Sequence, residues 1–210
     1  MCGSRVMRVE GDLPPDLAEA MLRAPRVGVD TETSGLDSRS DQLRLIQLYV
    51  PDLGVVLLRP GDGPPPKQLI RVLQSQDTTK VFHFAPFDLG FLAATWHVRA
   101  RSVLCTKAAA RLISPTSPPR EWSLQYLLWQ TLGIELSKGP VRVSDWGAKE
   151  LSDEQVAYAA ADVEHLLMLS DRQTLQLQSQ GLWEDYLEIC NFMPLEAVLR
   201  ASGIPNLFAY

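Results

Sequence analysis

"VGVDTET" (Val27–Thr33) starts apolar and β-branched and ends in two acids. It reads as a buried strand up to Asp30. Side chains on a strand alternate between faces, so Asp30 and Glu32, two residues apart, point the same way. A core strand that finishes in two like charges needs something for both carboxylates to face.

Working outward, "DLPPDLAEAMLRA" ahead of this strand reads as a short helix opened by Asp and Pro signals. Behind it, "SGLDSRSDQ" is a polar turn. "LRLIQLYV" (43–50) and "GVVLLRP" (54–60) are strands, with Pro51 and Asp52 in the hairpin between them. "KQLIRVLQSQ" is a short helix, "KVFHF" a strand, and a helix follows from Phe87 to Trp96. "RSVLC" is a short strand and "TKAAARLI" a helix. "SPTSPPRE" is a Pro-rich loop, "WSLQYLLWQTLG" a helix stopped at Gly133, and "SKGPVRVSDWGAKE" irregular. From Ser152 to about Arg200 the pattern is helical. A meander followed by strand–helix alternation predicts an α/β fold: a mixed sheet, antiparallel first and then parallel, flanked by helices. Acids at the carboxyl end of a sheet strand lie where open α/β sheets place their sites.

Composition sets limits on function. The chain has 210 residues, 46% of them hydrophobic, enough for a full core without disulfides or metal staples. Its three cysteines, Cys2, Cys105 and Cys190, are far apart and form no C-x-x-C pair, which argues against a cysteine zinc site and points to a reducing cytoplasm. No apolar run approaches the roughly 20 residues that span a bilayer, and the N-terminus has no secretory h-region. With 25 acids against 20 Lys and Arg, the net charge is −5. That excludes a strongly basic duplex-binding domain. It leaves room for a nuclease, because clustered carboxylates lower the net charge and bound cations restore it locally.

Two further stretches carry acids inside apolar surroundings. In "FHFAPFDLGFL" (82–92), Asp88 sits near a helix start, where an acid also suits the helix dipole. In "LSDEQVAYAAADVEHLLML" (151–169), Ser152 and Gln155 form a capping box that starts a helix. Tyr158 and Asp162, four apart, share one face of it beside Ala159, Ala160 and Ala161. Tyr158 alone could simply pack at the helix–sheet boundary with its hydroxyl on Asp162. Taken together, four acids and a phenol converge, and uncompensated carboxylates converge only around a cation. Oxygen-only ligands select Mg²⁺ or Mn²⁺.

"VDTETSGLD", "FHFAPFDLGFL" and "YAAADVEHL" resemble the three exonuclease motifs of the DEDD superfamily. Tyr158 four residues before Asp162 is similar to the DEDDy branch. The connecting segments "LRLIQL", "CTKAAARLI", "SLQYLLWQTLGIELSK" and "SDWGAKELSDEQVAYAAADV" resemble ribonuclease D, and "FMPLEAVL" resembles its short stand-alone bacterial forms. The resemblance covers nearly the whole chain. It implies a ribonuclease H-like fold and one exonuclease domain over residues 1–210, without an additional nucleic-acid-binding domain. It further implies 3′–5′ release of nucleoside 5′-monophosphates by two divalent cations. Asp30, Glu32 and Asp162 would hold one cation, Asp30 would bridge to the second, and Asp88 would reach that one through water. Tyr158 would orient the attacking water.

The implied partner is a single-stranded or frayed 3′ end of RNA, with a DNA exonuclease as the alternative and a non-catalytic binding module as a remoter one. By resemblance, Thr33 and Leu36 would contact the terminal nucleotide, Leu36 as a wedge, and His83 precedes the second acid. Phe84 is either a core strand residue or a base-stacking surface. Lys107, Lys138 and Arg142 are candidate phosphate contacts. The sequence departs from the family pattern at Phe84, where many relatives have Asn, at Pro86, often a basic position, and in a Lys-to-Trp segment one residue longer than usual.

Overall fold

The computed structural model describes residues 5–136 and 144–204. Lys138 and Arg142 lie outside the described residues. In chain order the elements are β1 (Val6–Glu10), α1 (Pro15–Arg23), β2 (Arg26–Thr33), β3 (Leu43–Val50), β4 (Gly54–Arg59), α2 (Lys67–Gln74), β5 (Thr79–Phe82) and α3 (Ala85–Trp96). They continue with β6 (Val103–Cys105), α4 (Thr106–Ile113), α5 (Leu124–Leu132), α6 (Asp153–Glu164), α7 (Leu166–Ser179) and α8 (Trp183–Ala201). A short 3₁₀ turn (Pro119–Trp122) lies in the Pro-rich loop expected there.

The strands form one six-stranded sheet in the order β1-β4-β3-β2-β5-β6. β2, β3 and β4 are the antiparallel meander, and β5 and β6 add parallel beside β2. This is the mixed sheet expected from the sequence. β1 was not expected. "VMRVE" is short and half-exposed along its length. Its strand state comes from pairing in parallel with β4, Val6 opposite Val55 through Glu10 opposite Arg59. β-pairing covers an edge that the meander leaves open, a tertiary cause with little local signal.

The alternation within β2 separates two cores. Val27 and Val29 face the side covered by α1, α2, α3 and α8. Gly28, Asp30 and Glu32 face the other side, where Leu45, Leu57, Ala159, Ala160, Val163 and Leu166 pack. Gly28 matters for its size. A Cβ there would sit 3.0 Å from the carbonyl oxygen of Val163, so only glycine lets the end of α6 rest on β2.

The long helical run after Ser152 is divided. His165, at φ −107° and ψ 0°, ends α6 and starts α7, and Gly181 at φ +72° precedes α8. The capping box forms as read: the Gln155 backbone N–H donates to Ser152 Oγ, and the Ser152 N–H donates to Gln155 Oε1. Gln155 Nε2 also donates to Ser144 Oγ (2.9 Å) and the Asp145 carbonyl (3.1 Å). The helix start thus anchors the segment that carries Trp146.

Candidate active site

β2 delivers Asp30 and Glu32 to the face where α6 delivers Asp162. Each of the three offers one carboxylate oxygen, and these oxygens lie within 4.8 Å of one another. All three residues are partly buried. Burial is the main reason that Asp30 holds its proton well above the usual carboxylate range, with Asp88, Asp162 and Glu32 adding repulsion in that order. Three converging carboxylate oxygens could hold a hard divalent cation.

Asp88 arrives by another route. It is 1% exposed at the first turn of α3, and Thr31 Oγ1 donates to its Oδ1 at 2.7 Å. Burial pushes its pKa up to about 7, against the lowering effect of the Thr31 bond. It does not join the compact triad, but it is the largest source of repulsion on Asp30. Thr31 therefore reaches α3 on one side of β2 while Asp30 and Glu32 reach α6 on the other.

Tyr158 is both packed and bonded. Its ring lies 6.0 Å from that of Trp146, and its hydroxyl bonds to Asp162. Burial and then the nearby Asp162 and Glu32 push its pKa up, so the phenol stays protonated at neutral pH.

The expected substrate contacts fall on two segments. Thr33 Oγ1 donates to the Gly35 carbonyl at 2.6 Å, at the start of the loop that carries Leu36. That loop is held by Ser34 N–H to the Gln42 carbonyl (2.9 Å), Gln42 N–H to Ser34 Oγ (2.9 Å) and Asp37 N–H to Asp41 Oδ2 (2.9 Å). Leu36 at its tip is 87% exposed, an apolar side chain held in water by a braced turn.

The second segment joins β5 to α3. β5 ends at Phe82 rather than running to Phe84. Phe84 takes a left-handed conformation, φ 68° and ψ 48°, which turns the chain abruptly into α3. Strain of this kind in a non-glycine residue clusters at functional sites. The side chain is 41% exposed, so Phe84 is no core strand residue, and Lys107 Nζ sits 4.3 Å from its ring centroid. Beside it, His83 Nδ1 lies 2.9 Å from Thr106 Oγ1, whose hydroxyl donates to the Phe82 carbonyl (3.2 Å). With the hydroxyl proton so committed, His83 donates from Nδ1, and in the neutral ring Nε2 is the acceptor.

Sequence reading missed three supporting residues. Gln47 stands directly opposite Asp30 in the β2–β3 register, is fully buried, and reaches Glu32 Oε1 with Nε2 at 3.5 Å. A lone amide in "LRLIQLYV" was visible, but its partner depends on a register that the long turn does not fix. Thr31 and Trp146 are the others, recognisable only through Asp88 and Tyr158.

Comparisons with known proteins bear on the family and the fold. The family model described as 3'-5' exonuclease matches residues 10–178. The chain belongs to the 3'-5' exonuclease family. Within it, ribonuclease D of Xanthomonas oryzae is 31% identical over 170 residues, 80% of this chain and 46% of that protein. A structure described as the apo form of the nuclease superposes with a TM-score of 0.89 at 32% identity, covering 98% of both chains. Brucella melitensis NrnC bound to pGG gives 0.88 at 28% identity, covering 99% of this chain and 100% of that one. The fold is that of the ribonuclease H-like exonucleases. The chain spans less than half the length of the ribonuclease D relatives it matches, 48%, 46% and 41% for three of them. No described helix is long and apolar enough to cross a membrane.

Proposed function

We propose that this exonuclease-family chain is a divalent-cation-dependent 3′–5′ exoribonuclease that releases nucleoside 5′-monophosphates from short or frayed single-stranded 3′ ends. The observation that carries the reading is the Asp30–Glu32–Asp162 triad within 4.8 Å, with Tyr158 bonded to Asp162. Two structures of the similar Brucella melitensis NrnC, one with bound Mg²⁺ and one bound to pGG, support both cation and substrate class. Asp30, Glu32 and Asp162 would hold the cation, and Asp88, the largest source of repulsion on Asp30, would support a second one from α3. Bound divalent cations would activate the attacking water and stabilise the leaving 3′-oxygen.

The remaining roles belong to the side chains. The neutral Tyr158 hydroxyl holds the attacking water by hydrogen bonding and keeps Asp162 in place. The water oxygen joins phosphorus as one of its protons passes to solvent, the P–O3′ bond breaks, and the released 3′-oxygen takes up a proton from solvent. Leu36 wedges against the last base, Phe84 stacks on it, Lys107 meets the phosphate, and His83 lies beside the terminal nucleotide. Cys105 and Cys190 are buried free thiols, which suits the reducing cytoplasm.

The test is a time course on matched RNA and DNA oligonucleotides with free 3′ ends, products resolved one nucleotide at a time. Expected is stepwise loss from the RNA 3′ end, stopped by EDTA and restored by Mn²⁺ or Mg²⁺. Faster decay of DNA would replace RNA with DNA as the substrate, and rescue by Zn²⁺ alone would refute the oxygen-ligand site.

A further inference from the structure

The β2–β3 register shifts between Glu32 and Thr33. Leu43 and Leu45, two residues apart, consequently join the cores on opposite faces of the sheet. Arg44 lies between them, next to Leu45, the register partner of Glu32. It lines a cleft of about 390 Å³ together with Arg39, Arg59, Trp96, Trp146 and Gly147. Through Trp146, whose ring packs on Tyr158, this cleft borders the candidate active site.

Two of the arginines have partners. Arg39 pairs with Asp37 at 3.2 Å. Arg59 donates to the Lys149 carbonyl at 2.7 Å and lies 4.0 Å from Glu10. Among the described residues, Arg44 makes no ion pair or hydrogen bond. Among these residues its Nε is buried without a partner, and so is Nε1 of Trp146, a side chain only 3% exposed. Buried donors are almost always satisfied, so two orphans on one wall mark a place that expects an acceptor. Gly147 belongs to the same arrangement: a Cβ there would come within 3.2 Å of Arg44 Cζ and 3.1 Å of Asp145 Oδ1, which accepts the Gly147 N–H, so the guanidinium lies close to bare backbone with this carboxylate nearby. The cleft also has Asp41 and Asp62 in its wall. Asp41 is turned into its own loop, where Oδ2 accepts the Asp37 N–H.

We propose that this cleft is an anion subsite that takes a backbone phosphate of the RNA upstream of the scissile bond, with Arg44 as its charged anchor. The inference rests on the exonuclease reading above and adds a path for the chain beyond the first phosphodiester. A protein of net charge −5 repels RNA overall, so an arginine without an ion-pair partner among the described residues is where a phosphate would be drawn in. The planar fork of a guanidinium suits a phosphate, and the Trp96 face beside it suits a base.

The experiment compares wild type with Arg44→Ala, Arg44→Gln and Arg44→Lys on a dinucleotide and a heptanucleotide, both with 5′-hydroxyl ends. A dinucleotide has one phosphodiester, the scissile one, and nothing to place in the cleft. Expected for Arg44→Ala is a KM for the heptanucleotide raised about tenfold with kcat kept, as for loss of one charge-assisted contact, and dinucleotide kinetics unchanged. Arg44→Lys should recover part of the loss. The salt dependence of heptanucleotide binding should flatten by about 0.7 in log–log slope.

An unchanged heptanucleotide KM overturns the proposal. So does an equal fall in kcat on both substrates, which would make Arg44 a support for Trp146 and Tyr158. Failure of both Arg44→Ala and Arg44→Gln to fold would assign Arg44 to the fold and overturn it as well. Heptanucleotide binding in EDTA, read by fluorescence anisotropy in Asp162→Asn with and without Arg44→Ala, keeps this test separate from failure of the exonuclease reading: an inactive wild type would sink that reading alone, whereas equal affinities would sink the subsite.

Discussion

Removing the charge of Asp88 gives the most quantitative check on the acid cluster. Asp88→Asn keeps the shape and keeps an oxygen to accept the Thr31 hydroxyl, which lies 2.7 Å from Oδ1. In the folded wild type, burial raises the Asp88 pKa from 3.8 to about 7. The folded chain therefore holds a proton that the unfolded chain has lost throughout that window. More protons bound by the folded state means that stability falls as pH rises, from about pH 4 until it levels above about pH 7. A shift of roughly three units at 1.36 kcal/mol each is about 4 kcal/mol for this one group.

Asparagine has no such slope. In EDTA, the stability of Asp88→Asn relative to wild type should therefore grow by about 4 kcal/mol between pH 4 and pH 8. For a domain of this size that is roughly 10 °C in Tm. Thermal melts in EDTA at steps across this range measure it. Adding Mn²⁺ at pH 8 should raise the wild-type Tm and narrow the gap, because a cation that binds only the folded chain stabilises it. A Tm difference that does not change with pH in EDTA would refute the reasoning, since the buried carboxyl would then titrate as it does in the unfolded chain.

Four other outcomes are expected. Asp30→Asn and Asp162→Asn should each abolish nuclease activity while leaving the circular dichroism spectrum and a cooperative melt intact; retention of most activity by either would remove it from the cation site. Tyr158→Phe should lower kcat strongly, by about a hundredfold or more, with Mn²⁺ affinity by calorimetry unchanged, and equal rates would take the phenol out of the mechanism. Gln47→Leu should weaken Mn²⁺ binding by about tenfold or more, as loss of a hydrogen bond to a ligating carboxylate does, and an unchanged affinity would leave Gln47 as packing alone. Gly28→Ala forces a Cβ to 3.0 Å from the Val163 carbonyl; it should cost about 1–3 kcal/mol and reduce activity by displacing Asp162, and a neutral Tm would show that α6 does not depend on this close approach.

Local pattern made much of the fold legible. The alternation in β2, β3 and β4, the capping box at Ser152 and the stop at Gly133, which takes φ +68°, each depend on residues within a few positions. β1 was not legible, because five half-exposed residues become a strand only when β4 offers an edge. The break at His165 was hidden for a similar reason: the helical pattern runs through it, and the division at that point belongs to the packing of α6 and α7 on β2. Phe84 was read as either strand or stacking surface, and its left-handed turn decided against the strand.

The sequence by itself determined which of the candidate side chains share a face. Asp30 and Glu32 share a face because strand periodicity leaves no alternative, and Tyr158 and Asp162 share one because helix periodicity does the same. Tertiary structure decided how those pairs meet. Gly28 lets α6 come close enough for Asp162 to join the strand pair within 4.8 Å, while Asp88 stays apart, buried against Thr31. Register, also tertiary, put Gln47 beside Asp30 and left Arg44 in a cleft without a partner among the described residues. Periodicity is a property of a few consecutive residues, whereas distance between elements is set by how closely backbones pack, and that depends on contacts far apart in the chain.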